Sequence, residues 1–173
     1  MKSLRINFSK FTYTIDLPVL ILFVAVSLDI ISTTLFVVLG AGFEVNPILS
    51  GLIDISIWFI PIYLFATDAL FVPFLSSILR KSFSYALAFL SIALAANNFS
   101  LILFDFAIVI DTIGYNTILI VTVLFGFTLF AYYIVKEKLN RKEILSTCLK
   151  LVLFSMFIGL VHLGFFGITR LAV

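Results

Sequence analysis

The chain has 173 residues, 63% of them hydrophobic and only 12% charged, whereas soluble domains run near half apolar and a quarter charged. That composition excludes an ordinary soluble fold and indicates an integral membrane protein of one domain. A net charge of +2 is too small to suggest a nucleic-acid partner, and a single cysteine, Cys148, excludes an internal disulfide and a cysteine-rich metal site.

In chain order, residues 1–16 alternate weakly, with Leu4, Ile6 and Phe8, then Phe11, Tyr13 and Ile15, between basic residues. This suits a segment lying at the membrane surface, or equally a short disordered lead. Lys2, Arg5 and Lys10 followed by an apolar run mimic a signal peptide, but the run is too long and contains Asp29, so it reads as a retained span. Span one covers residues 17–39 and ends at Gly40-Ala41-Gly42.

Asn46 before Pro47 has the form of a helix cap followed by a proline at the first helical position. From Pro47 to Leu79 the chain would make a single helix of about 50 Å, too long for one crossing. It is therefore expected to divide into an outer helix over 47–56 and span two over 58–79, bent by Pro61 and Pro73. Arg80-Lys81 is expected to turn into span three at 83–106. A polar connection with Asp105, Asp111, Gly114 and Asn116 leads to span four at 117–135. The charged run 136–143 reads as a solvated loop or helix extension, and span five occupies 148–169.

The predicted fold is thus all-α, a polytopic bundle of five transmembrane helices in the cell membrane, with residues 17–173 forming one transmembrane domain behind the interfacial segment 1–16. In this arrangement ten basic residues fall on one side and Arg170 alone on the other. The positive-inside rule then places the amino terminus in the cytoplasm and the carboxyl terminus outside.

Two spans carry seven-residue stripes of small and polar side chains, expected to face the bundle interior because close backbone approach drives helix association in lipid. Span three has Ser84, Ala88, Ser91, Ala95, Asn98 and Asp105; span five has Cys148, Ser155, Gly159, His162 and Thr169. Against this background Asp29 and Asp68 are predicted near the midpoints of spans one and two, with Asn98 and His162 about one turn outward. An ionisable group at the bilayer centre costs on the order of 2.5–3.5 kcal/mol, so Asp29, Ser32, Thr33, Asp68, Asn98 and His162 form a candidate intramembrane polar or ion site. Ser32 and Thr33 stack on the face of Asp29 and could donate to its carboxylate. Asn97 could join them after a slight rotation.

Asp29-x-x-Ser32-Thr33 followed by Glu44-x-Asn46-Pro47 resembles the signature of a family of small polytopic membrane proteins of unknown function in archaea and bacteria. The resemblance covers about residues 24–75 and implies membership without an activity. Family members often carry a lysine in the second span where this chain has Asp68, so an Asp-Lys pair is not open to it. The outer turn Glu44, Asn46 and Pro47 could form a rigid corner, or Glu44 could guard the entrance to the Asp29 site.

Three functions compete. A subunit or scaffold of a membrane complex would use the polar groups to dock helices, in homo-oligomers or with other membrane subunits. A proton- or cation-coupled transporter or binding protein would use Asp29 and Asp68, with a bound proton or cation as its only cofactor. An intramembrane metal-dependent hydrolase would need Asp29, Asp68 and His162 as ligands, a weak set lacking the His-Glu-x-x-His spacing.

Overall fold

The computed structural model describes residues 4–8, 11–41 and 46–171. The chain opens with an antiparallel hairpin, β1 (Leu4–Phe8) and β2 (Phe11–Ile15), in the register Leu4 opposite Ile15. The segment before the first long helix therefore has its own secondary structure.

Helix α1 (Leu17–Val38) begins where the Asp16 carboxylate accepts the Val19 N–H at 3.3 Å, with Pro18 in the first turn, where its missing N–H is harmless. Its 22 residues give about 33 Å, enough to cross a hydrocarbon core. It ends in a Schellman turn: Ala41 N–H donates to Phe36 O, Gly40 N–H donates to Val37 O, and Gly40 takes a left-handed φ of 64° that a glycine adopts without steric penalty.

Helix α2 (Pro47–Ile55) follows, and then α3 (Phe59–Asp68). Here the expected second span, 58–79, gives way. Helix α3 stops after ten residues, a 3-10 turn occupies Val72–Phe74, Leu75 is extended, and α4 starts at Ser77. Pro73 explains the break, since it has no N–H for a helical bond and its ring clashes with the preceding turn. Pro61 lies in the first turn of α3, where neither effect operates.

Helix α4 (Ser77–Phe104) therefore absorbs Arg80 and Lys81 in its opening turns instead of forming a turn there. It ends at Asp105, in the left-handed region with φ 55°. A one-and-a-half-turn helix α5 (Ile108–Ile113) and Gly114, with φ 87°, lead into α6 (Tyr115–Lys136). Helix α7 (Arg141–Leu171) starts well before the expected position because Asn140 and Glu143 form a capping box. The Asn140 side chain accepts from the Lys142 and Glu143 N–H groups, and Glu143 accepts from Asn140 N–H at 2.8 Å.

Among the described residues four helices are long and apolar enough to cross a membrane: α1, α4, α6 and α7 over 141–165. Helix α3 and the 3-10 turn make a shorter, broken apolar segment between them. The architecture is an all-α membrane bundle in which α1 packs along α4 and α4 carries α6 on another side. The α2–α3 pair fills the gap between α1 and α7. One core cluster joins Val19, Leu22, Ala25 and Val26 of α1 to Ala69, Val72 and Ala88; a second gathers Leu49, Leu52, Ile60, Tyr63 and Leu64, and Ile30 packs against both.

Of the α4 stripe, Ser84, Ala88, Ser91 and Ala95 are buried and Asn98 half-buried, while Asp105 is exposed at the end of the helix. The α7 stripe is divided: Ser155 and Gly159 are exposed, whereas Cys148 and His162 are half-buried. The inward face of α7 is instead Leu151, Phe154, Ile158, Val161 and Phe165, spaced three and four apart. Ring contacts fix this rotation: Phe157 on Phe71 at 4.6 Å, Phe165 on Tyr63 at 5.1 Å and Phe154 on Phe83 at 5.2 Å. Large aromatic contacts outweigh the small-residue pattern here.

Candidate functional site

Asp29 is only 3% exposed, on the face of α1 that meets α4. One turn further along, the Thr33 hydroxyl donates to Asp29 Oδ1 at 3.3 Å. Ser32 donates to the backbone carbonyl of Asp29 at 3.0 Å, so of the two neighbours expected to reach the carboxylate only Thr33 does so. Asn98 supplies the cross-link from α4, its Nδ2 donating to Thr33 Oγ1 at 3.0 Å and Ser32 Oγ at 3.3 Å. The sequence order Asp29, Ser32, Thr33 and Asn98 therefore becomes one hydrogen-bonded node across the α1–α4 interface.

The node borders a cavity of about 80 Å³ whose polar lining is Asp29, Thr33, Asn46, Asn97, Asn98 and Tyr115. Asn46 lies there at the start of α2. Its Oδ1 caps α2 by accepting the Ile48 and Leu49 N–H groups, and its Nδ2 donates to the Tyr63 hydroxyl at 3.3 Å. Pro47 takes the first helical position, and Asn46 contributes to one wall of the Asp29 cavity. Glu44, assigned either to a rigid corner or to an entrance, lies outside the described residues.

Asn97 is almost fully buried and turned to a separate task. Its Oδ1 accepts the Ile110 N–H at 2.9 Å and Ser100 Oγ accepts the Ile108 N–H at 3.1 Å. Two side chains of α4 thus satisfy the amides at the start of α5, which makes no side-chain cap of its own. Sequence reasoning gave Asn97 only a supporting part and passed over Ser100, Tyr63 and Tyr115. The adjacent pair Asn97-Asn98 was the available signal, since successive helical positions point about 100° apart and serve two different neighbours.

Asp68 and His162 are placed elsewhere. Asp68 is the last residue of α3, not the midpoint of a continuous span, and neither it nor His162 lines the Asp29 cavity. The two lie within electrostatic reach of each other. His162 holds its Nδ1 against the Ile158 carbonyl at 2.9 Å, which fixes the proton on Nδ1, and its ring packs edge-on against Tyr63. Among the described residues no three His, Cys, Asp or Glu side chains gather as a metal-holding group, so Asp29, Asp68 and His162 do not form the ligand set considered for a hydrolase.

The chemistry within reach of the node is the holding of a small polar guest or of the helices themselves. The cavity offers a carboxylate, hydroxyls and amides, the hard oxygen donors that suit a proton or a single cation. No known family model matches the chain, and no curated protein or solved structure matches it either.

Proposed function

We propose that this protein is a non-enzymatic subunit of a membrane complex, a scaffold whose Asp29 node locks α1, α4 and the α2 corner into one rigid unit. The observation that carries this reading is the sealing of Asp29, 3% exposed and bonded to Thr33, which in turn is bonded by Asn98 of another helix. Polar groups so arranged are used as helix glue. The outer faces of α6 and α7, with Val135, Leu145, Leu160 and Leu163 each more than 60% exposed, are left to lipid or to neighbouring subunits.

The basic end of the bundle, where Arg80 meets Asp16 and Lys81 meets Glu137, belongs in this reading at the cytoplasmic surface of the cell membrane, with the amino terminus inside and the carboxyl terminus outside. Membership of the family with the Asp-x-x-(Thr/Ser)-Thr and Glu-x-Asn-Pro signature is part of the same proposal. It is supported by the meeting of Asp29, Thr33 and Asn46 at one cavity.

A second reading is favoured by the cavity itself. About 80 Å³ lined by a carboxylate and amides is room for one cation or a water-borne proton. The deciding measurement is labelling, in intact membranes, of a cysteine placed at Asp29 in a Cys148→Ala background by a small water-soluble thiol reagent, with the lipid-facing Leu28→Cys as control. The scaffold reading expects neither position to label. Labelling at 29 alone would transfer the site to ion or proton binding.

A further inference from the structure

Helices α4, α6 and α7 do not close on one another. Between them runs a groove of about 540 Å³, almost wholly apolar, floored by Ala86 and Gly126 and walled by Phe83, Phe127, Phe130 and Met156. It extends from Leu79 to Leu87 on α4 and from Thr122 to Phe130 on α6, about 12 Å in each case, which is less than half of a hydrocarbon core and so lies within one leaflet.

At the basic end the groove meets a second, polar cavity of about 390 Å³. Ile78 and Lys150 line that cavity while the next residues, Leu79 and Leu151, line the groove, so the two abut on both α4 and α7. Four charged side chains face the polar cavity. Glu137 is paired with Lys81 at 2.9 Å, and Glu143 accepts the Asn140 amide. Lys142 and Lys150 have no ion-pair partner among the described residues. The start of α4 points here too, and Ser76 leaves it uncapped: its buried Oγ makes no hydrogen bond. The first amides of a helix together with an idle hydroxyl and two lysines are donors in want of an anion.

We propose that this composite slot binds one anionic phospholipid, its acyl chain in the α4–α6–α7 groove and its phosphate at Ser76, Lys142 and Lys150. The pairing of an apolar channel one leaflet deep with a polar pocket that holds two lysines without ion-pair partners among the described residues favours a lipid with an anionic headgroup over a partner helix. Basic pockets between membrane helices recognise lipid headgroups in this way. The inference is independent of the role assigned to Asp29.

The test is native mass spectrometry of the full chain in mild detergent with phosphatidylglycerol and phosphatidylcholine supplied in equal amounts. The expected result is one retained lipid, with phosphatidylglycerol favoured about tenfold. In Lys142→Gln/Lys150→Gln the preference should fall to near parity, and in Ser155→Phe, which fills the groove from an exposed position, retention of both lipids should drop. Equal retention by the unaltered protein, or a preference that survives the double lysine change, overturns the proposal. So does a dimer that Ser155→Phe dissociates while lipid retention stays constant. Should Ser155→Phe fail to fold, the lysine variants, altered only at the surface, still decide.

Discussion

At the scale of single residues the node around Asp29 separates hydrogen bonds that join helices from those that stay within one. Thr33 to Asp29 is local to α1, whereas Asn98 to Thr33 crosses to α4. Interhelical hydrogen bonds in membranes average about 0.6 kcal/mol, so Asn98→Ala should lower stability by roughly 1 kcal/mol once the orphaned hydroxyls are counted. In a double-mutant cycle of Asn98→Ala with Thr33→Val, measured by unfolding in mixed micelles, a coupling of about 0.6 kcal/mol is expected. Strict additivity would break the link between the two side chains. Ser84 and Ser91 give the contrast, since both are buried beside α1 with hydroxyls that bond to nothing. Removing an unsatisfied buried hydroxyl relieves a desolvation penalty, so Ser84→Ala should leave stability unchanged or raise it by up to about 1 kcal/mol in the same assay. Asp29, Ser32, Thr33 and Asn98 were legible in the sequence because depth along a helix follows from residue count alone. Asp68 and His162 were not, because whether residues at a common depth meet depends on helix rotation, which Phe154, Phe157 and Phe165 set through contacts remote in sequence.

At the scale of elements the same limit explains what sequence pattern captured and what it lost. Long apolar runs marked α1, α4, α6 and α7, since nothing but a helix satisfies the backbone of such a run in lipid. The 58–79 segment departed from that logic: Pro73 could bend a membrane helix or end it, and here a 3-10 turn and the extended Leu75 interrupt the helix. The capping box that starts α7 is written in Asn140-x-x-Glu143, and it fixes which part of the charged run, read as a solvated loop or helix extension, joins the helix. Helix α5 shows an element whose existence rests on another. Its first amides are held by Asn97 and Ser100, so Asn97→Ala should expose the Ile110 amide and raise its hydrogen-exchange rate about fivefold or more, for a bond worth roughly 1 kcal/mol. Unchanged exchange would mean that α5 holds itself. Gly126 of α6 lies against α4, where an added Cβ would sit 3.2 Å from that of Ala86. Gly126→Leu is therefore expected to force α6 outward, destabilising the fold by about 1–3 kcal/mol.

At the scale of the molecule, two ion pairs gather three helices at the basic end, and their burial ranks them. Arg80 Nε meets Asp16 Oδ2 at 2.9 Å with the side chains 11% and 17% exposed, and the Arg80 guanidinium also donates to the Leu75 carbonyl at 2.8 Å. This one cation ties the start of α4 to the start of α1 and to the extended residue that follows the 3-10 turn, so it closes the break where the second span was expected. Lys81 and Glu137 join α4 to the end of α6 at the same distance but are 31% and 33% exposed. Solvent screens the second pair far more than the first. Arg80→Gln would leave Asp16 with a half-buried charge lacking its counter-ion, which should reduce stability by about 2 kcal/mol, between the values for exposed and buried pairs. Lys81→Gln should change it by less than about 1 kcal/mol. Salt separates the two further, because about 1 M salt shortens the screening length to roughly 3 Å and erases exposed pairs first. Thermal unfolding of both variants and the unaltered chain at low and high salt should therefore show the Lys81→Gln difference vanish while most of the Arg80→Gln difference remains. If both differences collapsed together, Arg80 would be acting as a surface charge, and the closure of the broken span would have to rest on Val72 and Ala69 packed against Leu22 and Val26.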